Sequence, residues 1–307
     1  MDRKPSIVGE IGAVAPAEPE LATPVEVVAP AGAASPVVLS SPHSGRIYPE
    51  RFLALSRLDP ATLRRSEDAF VDEMFAGAGG APLVRALFPR AFLDVNREPY
   101  ELDPRMFEGR LPAHANTRSL RVAGGLGTIA RIVGESQEIY ARRLPVEDAL
   151  ARIESLYRPY HAALRRLIQR AAAQFGTVVL VDCHSMPSFL SAGGRLERVT
   201  ADIVLGDRFG TSCDSAFAAA AESELRRLGY SVQRNKPYAG GFITEHYGAP
   251  AGRVHALQIE INRALYLDEA RIEKTKHFER VAADMRAVVD TLSRLALADV
   301  GRKAAAE

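Results

Sequence analysis

The sequence predicts an α/β domain built on a mixed, mainly parallel sheet with helices on both faces. Three observations lead there. Strand-like apolar runs alternate with helix-like segments through most of the 307 residues. The run Val178-Val179-Leu180-Val181 is short and β-branched, with Gly176 before it and Pro187 after it, as a buried strand requires. The stretches 145–174 and 268–297 are too long for strands and read as amphipathic helices.

The elements follow in order. Residues 1–35 are rich in Ala, Pro, Glu and Val, and their prolines deny helix continuity and ladder donors. They read as a flexible arm with one edge strand near Val25–Val28. Val37-Val38-Leu39 is a buried strand that Pro42 and Gly45 end. Residues 60–78 have helical spacing, with Phe70, Met74 and Phe75 as core contacts. Leu83–Phe88 and Ala91–Val95 read as strands around a turn at Pro89-Arg90. Residues 98–130 are irregular, and a loop that long inside a domain usually carries function. The helix 145–174 starts at Pro145 and stops at Gly176. Beyond the strand Thr177–Asp182 come a strand at 203–205, a helix over 212–228 and a strand at 230–233. Tyr238–Tyr247 reads as a Gly-containing loop or hairpin. His255–Asn262 alternates polar and apolar residues like a half-buried strand, and a helix runs from Asp268 to Leu297. Residues 36–299 form one catalytic domain on this reading, and 300–307 a frayed tail.

Composition excludes several classes of function. Lys+Arg 39 nearly balance Asp+Glu 38, so there is no basic field for nucleic acid and no polybasic membrane patch. An anionic substrate must then be met by a few specific cations. No apolar run approaches the ~20 residues that span a bilayer. Two cysteines, Cys183 and Cys213, make no disulfide framework. With no secretory apolar core and cleavage site behind the charged N-terminus, the expected location is cytoplasmic. Oligomeric state is not legible.

In open α/β sheets, sites gather where loops leave the carboxyl ends of strands. His43, Asn96-Arg97, His184 and Asp207 all follow strand-like runs. Two histidines at two strand ends could supply two of the three protein ligands of a catalytic zinc, with a carboxylate as the third. Adjacent Glu67 and Asp68 are the candidates, although a solvated first-turn acid would look the same in sequence. A lone histidine is more often a hydrogen-bonded loop residue than a ligand; two in matching positions shift that balance. Glu260 sits in an apolar strand, with Gln258, Glu260 and Asn262 on one face and Leu257, Ile259 and Ile261 on the other. It is either part of a solvent face or a general base beside a metal. Arg97 beside Asn96 can fork onto a carboxylate. Cys183 and His184 point to opposite faces, which argues against a thiol–imidazole pair. Gly124-Gly125-Leu126-Gly127 lacks the ending of a phosphate loop.

Six segments occur in an order that resembles the N-formylglutamate amidohydrolase family. They are Ser41–Pro49, Ser66-Glu67-Asp68, Asp94-Val95-Asn96-Arg97, Asp182–Pro187, Gly240–Thr244 and Gln258–Arg263. The resemblance covers roughly residues 36 to 295. It implies a three-layer αβα sandwich similar to zinc carboxypeptidases and one zinc ion per chain. It also implies hydrolysis of N-formyl-L-glutamate, or a close N-acyl amino acid, to formate and the free amino acid. Carried onto this chain, His43, Asp68 and His184 become the metal ligands, with Glu67 the alternative to Asp68. Glu260 becomes the general base, and Arg46 a donor to the oxyanion. Asn96 and Arg97 become the carboxylate clamp, with Tyr238 and Thr244 as further pocket residues. Family members acting in histidine degradation are shorter between the Asn-Arg pair and the second histidine. The extra length here bears on which acyl group is accepted. A hydrolase of another N-acyl amino acid or short peptide and a non-enzymatic binding protein are the competing readings.

Overall fold

A computed structural model describes residues 18–29, 34–134, 137–192 and 195–304. Much of the expected arm, and residues 305–307, lie outside these. The central sheet has seven strands: β1 Val25–Val28, β2 Val37–Ser41, β3 Leu83–Ala86, β4 Val178–Met186, β5 Ile203–Gly206, β6 Val232–Arg234 and β7 Val254–Asn262. Their spatial order is β1-β3-β2-β4-β7-β5-β6. The pairs β3/β2, β2/β4, β4/β7 and β5/β6 are parallel, while β1/β3 and β7/β5 are antiparallel. The sheet is therefore mixed and mainly parallel, as the alternation of elements predicts.

Helices cover both faces. They are α1 Glu50–Leu55, α2 Pro60–Arg64, α3 Val71–Phe75, α4 Val146–Arg152, α5 Arg158–Phe175, α6 Ser215–Arg227, α7 Phe242–Tyr247 and α8 Phe278–Ala304. The period of two along each strand divides the core. Val37, Leu39, Val179, Val181, Leu257, Ile259 and Ile261 pack with α3, α6 and α8. Val38, Val178, Leu180 and Ala256 pack on the other face with α4 and α5. No helix among the described residues is long and apolar enough to cross a membrane.

Several local expectations need correction. Ala91–Val95 is not a strand but a succession of turns, with Phe92, Leu93 and Val95 fully buried. An apolar run marks burial, and burial does not require a ladder partner. Tyr238–Tyr247 ends in helix α7 rather than a hairpin. The last helix begins at Phe278, not Asp268, because a two-residue ladder pairs Leu267–Asp268 with Glu273–Lys274. It continues to Ala304. β7 is buried from His255 to Asn262 rather than half-buried, since it lies inside the sheet between β4 and β5. The edge strand expected near Val25–Val28 is present as β1, paired antiparallel with β3, and Leu21 before it is 1% exposed. A π turn, Ile153–Tyr157, joins α4 to α5.

Candidate active site and metal centre

Strands β4 and β7 run side by side with His184 and Glu260 at the same register position. Leu257, Ile259 and Ile261 occupy the opposite face, so Gln258 and Glu260 share a face with Asp182 and His184. His43 lies just past the carboxyl end of the neighbouring strand β2. Asp68 arrives from the turn between α2 and α3, where its backbone N–H donates to the His43 carbonyl at 3.0 Å.

The three sequence-predicted ligands converge. Nδ1 of His43 is 3.3 Å and Nδ1 of His184 is 3.0 Å from Oδ2 of Asp68. One ligand atom from each lies within 4.8 Å of the others, and all three residues are buried. Behind each ring stands a carboxylate. His43 Nε2 is 2.7 Å from Asp94, and His184 Nε2 is 2.9 Å from Asp182. Burial opposes charge on the His184 imidazole, but Asp182 and Asp68 raise it well above its ordinary value; with a hydrogen on each Nε2, each Nδ1 would offer a lone pair to a cation beside Asp68. Two imidazole nitrogens and a carboxylate oxygen thus face one point where a cation could be held. Two imidazoles and a carboxylate, each imidazole backed by a second carboxylate, are the donor set of a catalytic zinc site. The residues present fit the metal.

Every supporting group is itself held. Asp94 also accepts from the Asn96 backbone N–H at 2.8 Å and from Arg90 Nη2 at 2.9 Å. Burial opposes its charge, but the His43 imidazole and the Arg97 and Arg90 guanidiniums hold its carboxyl well below the usual range. Asp182 accepts from Ser40 Oγ at 2.9 Å and from the Asn96 amide at 3.0 Å. The outer oxygen of Asp68 accepts from Ser185 Oγ and Arg263 Nη2, both at 3.1 Å, which leaves Oδ2 for the imidazoles. Removing the charge behind His184 should weaken metal binding: Asp182→Asn is expected to cost roughly 10- to 100-fold in zinc affinity, read by titration against a competing chelator.

Glu260 is 7% exposed and accepts from Gln258 Nε2 at 2.9 Å. Gln258 in turn accepts from the Gly241 backbone N–H at 2.9 Å. Burial pushes the Glu260 carboxyl up to about 7, with the attraction of His184 acting against it. That lies in the range where a carboxylate can both take and return a proton near neutral pH. The Gly240-Gly241 pair lets the chain pass close: a Cβ on Gly241 would stand 2.5 Å from the Asn96 amide.

These groups open into a cavity of about 860 Å³. His43, Glu67, Asp68, Asn96, Arg97, His184, Tyr238 and Glu260 line it; Arg46 and Thr244 do not. Arg46 is 41% exposed and pairs with Glu73 at 2.7 Å, outside the cavity. Arg90, held by Asp94, and Arg263, which donates to Asp68 at 3.1 Å, both line the cavity. Thr244 is fully buried and donates to the Gly241 carbonyl at 2.9 Å, serving helix α7 rather than the pocket. Glu67 accepts from Tyr48 Oη at 2.7 Å and from Arg64 Nε at 3.2 Å, so it stands apart from the imidazoles. Asp207 accepts from the Gly210 backbone N–H at 3.1 Å and from Asn235 Nδ2 at 2.7 Å, and does not line the cavity. Asn96 is committed on both sides, since its Oδ1 accepts from the Ile243 N–H at 2.8 Å. Arg97 donates to the Leu126 carbonyl at 2.9 Å and keeps Nη2 3.8 Å from Asp94. Sequence reasoning gave no role to Arg90, Asp94, Asp182 or Arg263. The available signal was the histidines themselves, because an imidazole ligand calls for a carboxylate behind it.

Comparison with known proteins gives a consistent result. The family model for N-formylglutamate amidohydrolase matches residues 35–267. An N-formylglutamate deformylase of Pseudomonas putida is 30% identical over 270 residues, covering 86% of this chain and 92% of the relative. One from Pseudomonas aeruginosa is 28% identical over 242 residues, covering 76% of this chain and 83% of the relative. A crystal structure of N-formylglutamate amidohydrolase from Ralstonia eutropha JMP134 superposes with a TM-score of 0.82 at 36% identity. It covers 89% of this chain and 98% of that chain.

Proposed function

The chain belongs to the N-formylglutamate amidohydrolase family, and on that premise we propose that it is a one-zinc enzyme cutting the formyl amide of N-formyl-L-glutamate. The relatives named above support the substrate. One observation carries the chemistry: His43, Asp68 and His184 meet at one point, with Glu260 across from His184 on the next strand.

His43, Asp68 and His184 would hold the ion. When bound, zinc supplies Lewis acidity, which acidifies water and polarises an amide carbonyl. Glu260 takes a proton from the attacking water and delivers it to the leaving nitrogen. A C–O bond forms, the amide C–N bond breaks, and formate and glutamate leave. Arg90, fixed by Asp94, donates to the oxygen on which charge develops, the role first assigned to Arg46. Arg97 is the cation for the α-carboxylate. Asn96 locks the backbone of α7 and the carboxylate of Asp182 in place, so that Arg97 and His184 keep their positions. Tyr238 stays protonated, since burial and the Glu260 charge push its hydroxyl up to about 12, and it offers a hydrogen to substrate.

A second reading, hydrolysis of larger N-acyl amino acids, is favoured by the size and walls of the cavity. About 860 Å³ lies at the upper end of small-molecule sites, and Leu126, Phe189, Leu190 and Leu196 line part of it. Rates on a panel of N-formyl, N-acetyl and N-succinyl amino acids separate the two. N-formyl-L-glutamate should give the highest kcat/KM. A higher value for another acyl group would overturn the substrate, and no hydrolysis by zinc-loaded protein would overturn the enzyme reading.

A further inference from the structure

The segment 90–97 contributes Arg90, Asp94, Asn96 and Arg97 to the site, yet it has no strand partner. Its backbone must be held by other means. Three of its carbonyls accept hydrogen bonds from side chains of one helix. Arg152 Nη1 donates to Phe92 O at 3.2 Å, His161 Nε2 to Val95 O at 2.9 Å, and Tyr157 Oη to Arg97 O at 2.8 Å. All three side chains are buried, at 3%, 5% and 5% exposure for Arg152, His161 and Tyr157.

The helix reaches all three only because it is irregular. Residues five apart, such as Arg152 and Tyr157, lie about 140° apart around an ideal α-helix. The π turn Ile153–Tyr157 closes i to i+5 and brings them round to one side. The sequence supplies the cause. Pro159 has no N–H to give the Ser155 carbonyl, and its ring crowds that carbonyl, so a regular α turn is costly there. His161 is fixed as a donor. The Val95 carbonyl can only accept, so Nε2 carries the hydrogen, and Nδ1 takes one from Tyr247 Oη at 2.9 Å. Its ring also stacks on Tyr157 with centroids 4.3 Å apart. Arg152 lies over the Phe92 ring at 3.9 Å.

We infer that Arg152, Tyr157 and His161 are positioning residues: the π-turned face of the α4–α5 helix clamps segment 90–97 so that Arg97 and the Asp94–His43 pair stand at their working positions. The inference rests on the proposed hydrolase reading for its kinetic arm and on the backbone hydrogen bonds alone for its physical arm.

The variants are Tyr157→Phe, His161→Leu and His161→Gln in the full-length chain. Losing one such bond should change the affected constant about three- to tenfold. For Tyr157→Phe we expect KM for N-formyl-L-glutamate to rise by that factor with kcat within about twofold, because Arg97 is the group released. For His161→Leu we expect lower zinc affinity and lower kcat, because its bond holds the peptide between Asp94 and Asn96. His161→Gln should recover most of both, since its carboxamide keeps an N–H donor. Amide hydrogen exchange over residues 92–97 should quicken in Tyr157→Phe and His161→Leu while β4 and β7 keep wild-type protection. A fall in Tm with KM, kcat and zinc affinity unmoved would overturn the clamp, whether or not exchange quickens. So would a Gln variant no better than Leu. If wild-type protein does not hydrolyse N-formyl-L-glutamate, the functional reading fails separately, and the zinc affinity of His161→Leu against His161→Gln still decides the clamp.

Discussion

Glu260→Gln is expected to lower kcat by roughly 10²- to 10⁴-fold, the range that positioned general bases contribute, while zinc stoichiometry and Tm stay close to wild type. The substitution keeps shape and the acceptor for Gln258 Nε2, but it removes the group that takes the proton. Metal analysis and steady-state kinetics on the same preparation test it. Wild-type turnover would reject the base assignment, and loss of zinc would show that Glu260 holds metal instead. The pH profile gives an independent check. Burial raises the Glu260 carboxyl to about 7, and a base must be ionised to act, so kcat/KM should rise with pH through that group. A bound cation attracts the ionised form and lowers the midpoint, so the acid limb should fall between the ordinary glutamate value and 7. Residual activity of the Gln variant should lack this limb.

Asp68→Asn should do more. It removes the anionic member of the donor set while leaving an oxygen near the two imidazoles. We expect zinc affinity to fall by more than the roughly 10- to 100-fold expected for an outer carboxylate, with activity falling in parallel at limiting zinc. Wild-type Tm should drop on chelation, because a ligand bound only by the folded state stabilises it by mass action. The Asn variant should lose most of that chelator response. Glu67→Gln is the matched control. Glu67 accepts from Tyr48 and Arg64 rather than facing the imidazoles, so its zinc content should match wild type. Reversed results would make Glu67 the ligand.

Much of the site is legible before folding. Period-two alternation places Glu260 and Gln258 opposite Ile259, and His184 opposite Cys183, because successive strand side chains alternate by backbone geometry alone. The core clusters follow that division. The ordered motifs bring His43, Asp68, His184 and Glu260 forward as a set. Where local pattern is ambiguous, reading fails: Ala91–Val95 is apolar enough for a strand but forms turns, with the Phe92 and Val95 carbonyls accepting from Arg152 and His161.

By itself the sequence determined the layered α/β plan, the face each strand residue takes, and the set His43, Asp68, His184 and Glu260 that the fold brings near one another. These depend on spacing and residue type, which are properties of short stretches of chain. Only the tertiary structure decided that Asp68 rather than Glu67 turns to the imidazoles, that Arg90 rather than Arg46 lines their cavity, and that Asp94 and Asp182 back the rings. Those choices join His43 to Asp94, 51 residues on, and Asp68 to His184, 116 residues on. Contacts at such separation are set by strand register and crossover path, and no local propensity encodes either.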